Sequence, residues 1–270
     1  MSAERQIFRK YLPPKRLSPD EHGALPDLRR AYFSRASGFN DPKDVRLWVS
    51  RPDNSVFEND DHLSEVVKSM AQRPSEIQKE VFFSGGIRAA FQSATTNPNF
   101  VEDFRNLCIE RFNECGIYCL FHGGDSAAMW AYYAGNATGC CIEYEAEGPL
   151  ALQGANPELF ICNVQYADPL PSVSVEELIF SPKSACRTMV ATKHVDWSHE
   201  RELRIVDFDQ SGSRDLPKGI CIKRVIAGVD IDDAHKQNLT EMCQKAGVSL
   251  WLNTKKFGCV PANSQIAQLI

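Results

Sequence analysis

The chain lacks the features that would place it in a membrane or in an export pathway. No run of about 18 apolar residues occurs, which is the length that a helix needs to cross a bilayer. The first ten residues mix charges from the start and contain no apolar segment, unlike a secretory signal. These two absences predict a cytoplasmic protein with no membrane partner.

Runs of one charge and metal-ligand spacings are also missing. The net charge is −5 and no stretch of five like charges occurs, so the basic footprint of a duplex-DNA-binding protein is absent. No CxxC motif accompanies the ten cysteines, which we interpret as reduced, buried thiols. We therefore predict no metal site. The alternative is a zinc site, for which Cys115-x3-Cys119-x2-His122 is the nearest spacing.

The familiar motifs for nucleotide binding and hydrolysis do not occur either. The sequence contains no GxGxxG, no GxxxxGK[ST] and no GxSxG, so it lacks the first requirement of a Rossmann, a P-loop and an α/β-hydrolase site. The pair Gly123-Gly124 closes a predicted strand before a predicted helix. Backbone amides at such a position either bind an anion or form an ordinary turn.

What the sequence does contain is an ordinary globular composition and a mixture of short elements. With 270 residues, 43% of them apolar, the chain is long enough to bury a large core. We predict one α+β domain over residues 1–270, built on a mixed, mostly antiparallel sheet with a helical insert at about 60–115. The predicted strands are 7–12, 31–34, 116–121, 138–144, 159–166, 202–208, 220–227 and 248–252, and the helices outside the insert are 126–134, 175–191 and 232–246.

The densest polar cluster precedes a predicted strand near residue 205. Alternation along an extended chain places Glu200, Glu202 and Arg204 on one face. On spacing alone, a solvated sheet face is one interpretation, with Arg204 neutralising part of the charge. The other is a catalytic pair, because adjacent carboxylates offer one neutral and one ionised group at the same pH.

Two further segments carry polar or aromatic groups that are candidates for ligand contact. Trp130 and Tyr133 belong to an aromatic stripe at helical spacing, which packs in a core or forms a platform for a base or a nicotinamide ring. Asn40, in the turn Asn40-Asp41-Pro42, either bonds its own backbone or points an amide into a cleft.

A series of short motifs occurs in a fixed order along the chain. They are Lys10-Tyr11, Tyr32-Phe33-Ser34, Phe39-Asn40-Asp41-Pro42 with Asp44, Met129-Trp130, Tyr133-Ala134, Gly139, Cys141-Ile142-Glu143, Lys193, Trp197 and Glu200-x-Glu202-x-Arg204. Together these motifs resemble the bacterial domain-of-unknown-function family 2971. The resemblance runs from about residue 10 to residue 252, and one departure is Phe121, where the family commonly has serine.

A second resemblance, to ADP-ribosyltransferases, implies an activity. Those enzymes have an early strand with a basic residue, a middle strand and helix with aromatics, and a late Glu-x-Glu strand, in that order. The resemblance implies that Glu202 stabilises the positive charge that forms on ribose as nicotinamide leaves NAD, and that Glu200 orients the acceptor. The residues assigned to NAD binding are Lys10 or its neighbour Arg9, Tyr11, Ser34, Asn40, Trp130, Tyr133 and Arg204.

The resulting prediction is an NAD-dependent ADP-ribosyltransferase that acts on a protein or a nucleic acid, as a toxin or an antiviral defence effector would. Water as the acceptor would make the same site an NAD glycohydrolase. Two other classes stay open at the sequence level. One is a Mg²⁺-dependent nuclease that uses Asp41, Asp44, Glu200 and Glu202, and the other is a nucleotide-sensing module in which Trp130 and Tyr133 stack a ligand without turnover.

Overall fold

The computed structural model describes residues 5–41, 43–45, 49–50, 115–174, 177, 182–254 and 258–261. The chain divides into two compact units, each made of separate segments. The first unit comprises Met1–Arg35, Gly116–Val164 and Ser198–Ile270, and the second comprises Ala36–Cys115 and Gln165–Trp197. The predicted helical insert at 60–115 lies, apart from Cys115, outside the described residues, and the single domain over 1–270 stays a prediction.

The first unit is built on an eight-stranded sheet and a separate two-stranded ribbon. The strands are β1 (Gln6–Leu12), β2 (Arg30–Phe33), β4 (Gly116–His122), β5 (Cys140–Ala146), β6 (Phe160–Asn163), β10 (Glu202–Asp207), β11 (Gly212–Asp215), β12 (Ile220–Ala227), β13 (Leu250–Thr254) and β14 (Gly258–Pro261). The order in the sheet is β14-β13-β12-β5-β1-β4-β10-β6, and the ribbon pairs β2 with β11. The helices are α1 (Ala127–Tyr133), α2 (Pro149–Ala155) and α4 (Asp233–Ala246), with a 3-10 turn at Pro14–Arg16.

The sheet is mostly antiparallel, which confirms the α+β prediction. Its one parallel pair among the described strands is β12 with β13, and α4 forms the crossover between them. Helix α4 has the expected ends. The Asp232 carboxylate accepts a hydrogen bond from the His235 amide at 2.8 Å, and Gly247 ends the helix in the left-handed conformation.

Apolar side chains cover both faces of the sheet. On one face a large core includes Phe8, Tyr144 and Leu203 from the strands, together with Leu239 from α4. The other face carries a smaller cluster from the strands and α1, namely Tyr11, Phe121, Met129, Trp130, Ala134, Cys141 and Ile226. Because two layers of apolar side chains enclose the sheet, polar groups on its central strands lie out of bulk water.

The centre of the sheet contains a narrow junction between β1 and β4. Strand β1 pairs with β5 along its full length, but its register with β4 covers Phe8 opposite His122 and Arg9 opposite Phe121. Further back along β4, the backbone of Ser34 exchanges hydrogen bonds with Ile117 at 3.0 and 2.9 Å. Two different segments of the chain therefore share the same edge of β4.

The second unit, as far as it is described, contains two short parallel pairs. They pair β3 (Val49–Ser50) with β8 (Val173–Ser174), and β7 (Gln165–Ala167) with β9 (Thr192–His194). Helix α3 (Pro182–Val190) precedes β9, and a 3-10 helix at Val195–Glu200 leads back to the first unit. A buried ion pair joins Lys193 to Asp44 at 3.3 Å.

Several element boundaries differ from the predictions. The predicted strand 159–166 is two strands, β6 and β7, which belong to different units. The predicted helix 175–191 is described as helix from Pro182 onward. Helix α2 was not predicted at all, since its seven residues contain a glycine and a proline and give little helical signal.

Gly139, just before β5, is expected to tolerate no side chain. A Cβ atom there would lie 2.0 Å from the Leu12 carbonyl oxygen, which belongs to paired backbone and has no room to withdraw. We expect Gly139→Ala to lower the free energy of unfolding by about 2–3 kcal/mol. Urea denaturation measures the change.

The matched control is Gly154→Ala, which changes a glycine within α2 that has open space around its Cβ position. That variant should be neutral or more stable by up to about 1 kcal/mol, because alanine favours helix more than glycine does. Equal effects of the two substitutions would show that the close approach at Gly139 is not a constraint.

Candidate functional site

A cavity of about 310 Å³ lies in the first unit, at the point where β4 ends and the chain turns toward α1. Strand β1 and the end of the 3-10 helix before β10 also contribute to its walls. The residues that line it are Arg9, Tyr11, Phe121, His122, Gly123, Gly124, Asp125, Ser126, Met129, His199, Glu200 and Arg201. The Gly123-Gly124 turn therefore borders the cavity, which is the position that the anion-binding interpretation of this turn requires.

Glu200, one of the lining residues, carries a buried carboxylate. It is the last residue of the 3-10 helix and is only 1% exposed. The Tyr133 hydroxyl, from the end of α1, donates a hydrogen bond to its Oε1 at 2.6 Å. Burial and the adjacent carboxylate raise the pKa of Tyr133, so this hydroxyl keeps its proton and remains a donor.

The prediction that Glu200, Glu202 and Arg204 share one strand face was wrong for Glu200. Strand β10 begins at Glu202, and Arg201 between the two glutamates has a φ of 47°. That left-handed residue turns the chain out of the extended conformation, so the alternation does not extend back to Glu200.

Glu202 and Arg204 form a buried ion pair on β10. Arg204 donates from Nε to Glu202 Oε1 at 2.9 Å and from Nη2 to Oε2 at 3.1 Å, and Arg204 and Glu202 are 0% and 3% exposed. The solvated sheet face, one of the two sequence interpretations, is therefore wrong. Neither residue lines the cavity.

Arg9 reaches the cavity from β1 and is held by a second charged network. Its Nε and Nη2 donate to Glu143 Oε1, while Arg224 donates to Glu143 Oε2. The register explains the contact, because Arg9, Glu143 and Arg224 lie opposite one another on three neighbouring strands. The Arg9 Nη1 donates to no described residue, which leaves it available to a ligand in the cavity.

The Glu143 network is expected to make the fold sensitive to acid. Burial alone would raise the pKa of Glu143, but the hydrogen bonds and charges of Arg224 and Arg9 outweigh it and lower the pKa below 4.5. A carboxyl whose pKa is lower when folded stabilises the protein above its unfolded pKa, and that contribution is lost as the pH falls through the folded value. We expect Glu143→Gln to cost about 2 kcal/mol at neutral pH.

The difference between wild type and Glu143→Gln should shrink as the pH falls below 4.5. Urea denaturation of both proteins over a series of acidic pH values measures it. A difference that stayed constant across the series would contradict the assigned role of Glu143, since the variant lacks the titrating group.

Tyr11, Trp130 and Asp125 form a linked group at the cavity. The Trp130 indole N–H donates to Asp125 Oδ1 at 2.6 Å, and the Tyr11 ring meets the Trp130 ring edge to face at 5.2 Å. The buried Tyr11 hydroxyl bonds no nitrogen or oxygen of the described residues, and the Cys141 thiol is a polar neighbour. A buried hydroxyl without a nitrogen or oxygen partner is the kind of group that a ligand satisfies.

The other residues predicted to bind NAD are not among those that line the cavity. Lys10 is half-buried and donates from Nζ to the Cys119 carbonyl at 3.0 Å, and burial lowers its pKa. Ser34 uses its backbone to pair with β4. Asn40 is exposed and belongs to the second unit. Of the predicted residues, the structure therefore brings Tyr11, Glu200 and Arg9, the alternative to Lys10, to the cavity wall, where Tyr133 and Trp130 bond lining residues.

Sequence reasoning missed Asp125 and Arg201 among the lining residues. Asp125 precedes α1 by two residues, where an acidic side chain is common at a helix start, so its position carried only a capping signal. Arg201 carried no signal, because nothing local marks the residue at which the chain turns into β10. Among the described residues, no three His, Cys, Asp or Glu side chains are grouped to hold a metal ion. A metal centre for the nuclease alternative is therefore not found in this part of the chain.

Part of the chain matches a known protein family. The family described as "Protein of unknown function (DUF2971)" matches residues 129–205, a stretch that includes Tyr133, Glu200 and the Glu202–Arg204 pair. This supports the resemblance to that family, and the family description carries no activity. No curated protein and no solved structure matches the chain. No described helix is long and apolar enough to span a membrane.

Proposed function

We propose that the first unit binds NAD at the cavity beside Glu200, cleaves the bond between nicotinamide and ribose, and transfers ADP-ribose to a protein or nucleic-acid acceptor. The observation that carries the proposal is Glu200, which lines the cavity and whose buried carboxylate accepts a hydrogen bond from Tyr133. A carboxylate beside a bound sugar stabilises positive charge on that sugar.

In this proposal Glu200, rather than Glu202, faces the reacting carbon. When the glycosidic bond breaks, its electron pair leaves with nicotinamide, and positive charge develops on the ribose ring. A carboxylate out of bulk water stabilises that charge more strongly than an exposed one does. The Tyr133 hydroxyl fixes the direction of the Glu200 carboxylate, and Glu202 stays paired with Arg204.

The remaining lining residues fit a phosphate-bearing ligand. Arg9 presents an unused Nη1, and guanidinium groups bind phosphate oxygens well. Tyr11 also lines the cavity, and its buried hydroxyl bonds no nitrogen or oxygen of the described residues. At about 310 Å³ the cavity is at the lower end of the range for small-molecule sites, roughly 300–1,000 Å³, so it would hold one part of a dinucleotide.

The acceptor decides between two forms of the same chemistry. An acceptor hydroxyl or amine would attack the ribose carbon, lose its proton and become joined to ADP-ribose. Attack by water would release free ADP-ribose instead. The first is an ADP-ribosyltransferase and the second an NAD glycohydrolase. Either activity consumes cellular NAD, which would suit a toxin or an antiviral defence effector.

The test is incubation of the purified protein with NAD labelled in its adenine, with and without a cell extract. Nicotinamide release together with label on macromolecules supports the transferase. Release that yields only free ADP-ribose identifies the glycohydrolase. Binding of NAD without release, measured as a thermal shift, would overturn the catalytic proposal and leave the nucleotide-sensing alternative.

A further inference from the structure

We infer that the exposed face of the β2–β11 ribbon, with Arg16 and Arg35 beside it, binds single-stranded nucleic acid and holds it as the acceptor. We call this surface the arginine face; it comprises Arg16, Arg30, Tyr32, Arg35, Ser211, Ser213 and Asp215. The surface is inferred from its own contacts, and its role as the acceptor site rests on the proposed function.

Strand alternation places the side chains of the arginine face outward. In β2, Ala31 and Phe33 are buried while Arg30 and Tyr32 are exposed. On β11, Ser213 lies opposite Tyr32, and Asp215 opposite Arg30. Arg30 donates to the Ser213 hydroxyl at 3.0 Å and to Asp215 at 2.9 Å, which ties its guanidinium to β11.

An exposed ring and a stacked guanidinium occupy the centre of the face. Tyr32 is 49% exposed, and the Arg16 guanidinium lies over its ring at 4.5 Å from the centroid. Arg35 is fixed by a hydrogen bond from its Nε to the Ser211 hydroxyl at 3.0 Å. Neither Arg16 nor Arg35 forms an ion pair with any described residue, so the positive charge of each is available to an anionic partner.

These features favour a single-stranded nucleic acid over an acidic peptide. Phosphates supply the negative charge that no described residue gives to Arg16 or Arg35, and unpaired bases stack on aromatic rings and guanidinium planes. An acidic peptide would use the positive charges but would leave the exposed part of the Tyr32 ring uncovered. A duplex hides its bases from such a ring, and the chain as a whole carries a net charge of −5.

The arginine face lies on the same unit as the cavity, at a distance that a strand can bridge. Ser34, two residues beyond Tyr32, pairs with Ile117 near the start of β4, and Phe121 at the end of β4 lines the cavity. Four residues of extended chain separate Ile117 from Phe121, which is about 13 Å. A strand held on the arginine face can therefore place a neighbouring nucleotide at the cavity.

The test measures binding of fluorescein-labelled oligo(dT) and oligo(U) by fluorescence anisotropy, without NAD. We expect both to bind, and Tyr32→Ala to weaken binding about tenfold or more because the base can no longer stack on the ring. The matched control is Tyr132→Ala, which removes another exposed tyrosine, 59% exposed on α1. Arg35→Ala should also reduce the slope of log K against log salt by about 0.7 for each phosphate that the protein no longer neutralises.

The outcomes are distinct. Absence of oligonucleotide binding, equal effects of the two tyrosine variants, or displacement by polyglutamate at equal charge would overturn the inference, the last in favour of an acidic peptide. Nicotinamide release into water should be unchanged in Tyr32→Ala, because Tyr32 does not line the cavity. If oligonucleotides bind as expected but the wild type releases no nicotinamide, the proposed function fails while the nucleic-acid surface stands.

Discussion

The Glu200→Gln variant is expected to release nicotinamide from NAD at least about a hundredfold more slowly than the wild type. Glutamine has nearly the same shape and still accepts the hydrogen bond from Tyr133, but it carries no negative charge toward the bound ribose. The loss should appear in kcat rather than in KM, because the carboxylate acts on charge that develops during bond cleavage. The measurement is the steady-state rate of nicotinamide release.

Two controls separate this effect from a general loss of structure. Glu158→Gln changes an exposed glutamate of the same unit and should leave the rate unchanged. The urea midpoint of Glu200→Gln should show that the variant is folded under the assay conditions. Release at the wild-type rate by a folded Glu200→Gln protein would remove Glu200 from the mechanism.

The Arg204→Met variant is expected to lose about 3–5 kcal/mol of unfolding free energy. The substitution leaves the Glu202 carboxylate buried without the two hydrogen bonds that now compensate its charge. Desolvating an ion costs several kcal/mol, and the surrounding strands leave water little access. Urea denaturation at neutral pH measures the loss.

The matched control for this pair removes both charges. Replacement of a buried ion pair by apolar side chains of similar volume is often neutral, so Glu202→Leu combined with Arg204→Met should be more stable than Arg204→Met alone. If the double variant is less stable than Arg204→Met, the stability lost in Arg204→Met comes from packing rather than from the buried Glu202 charge.

The strands of the central sheet were largely predictable from local composition. Strand β12 has the predicted bounds, and β1, β4 and β10 differ from theirs by one residue. The prediction worked because these segments bury alternate or successive apolar residues, a pattern that neighbouring residues alone record. The assignment of β6 and β7 to different units depends on long-range contacts, which local composition does not contain.

The candidate site was less predictable, and two residues show why. Glu200 was expected to share a face with Glu202 and Arg204, but the left-handed conformation of Arg201 has no marker in the sequence, since arginine rarely adopts it. Arg204 was placed on the correct face of β10, yet alternation does not distinguish a face covered by other elements from one open to water. The other groups around Glu200 come from β1, β4 and α1, which are distant in sequence.

The junction between β1 and β4 has a consequence for hydrogen exchange. In the middle of β4, the Cys119 carbonyl accepts a hydrogen bond from the Lys10 side chain instead of from a backbone amide of a neighbouring strand. Little backbone pairing therefore holds the two halves of the sheet together at this point. Amide protons along this seam should exchange through a local opening, while the β12–β5–β1 side stays protected. The pairs that remain are Phe8 with His122 and Arg9 with Phe121. Arg9, Phe121 and His122 line the cavity, so a ligand bound there would slow exchange at the seam.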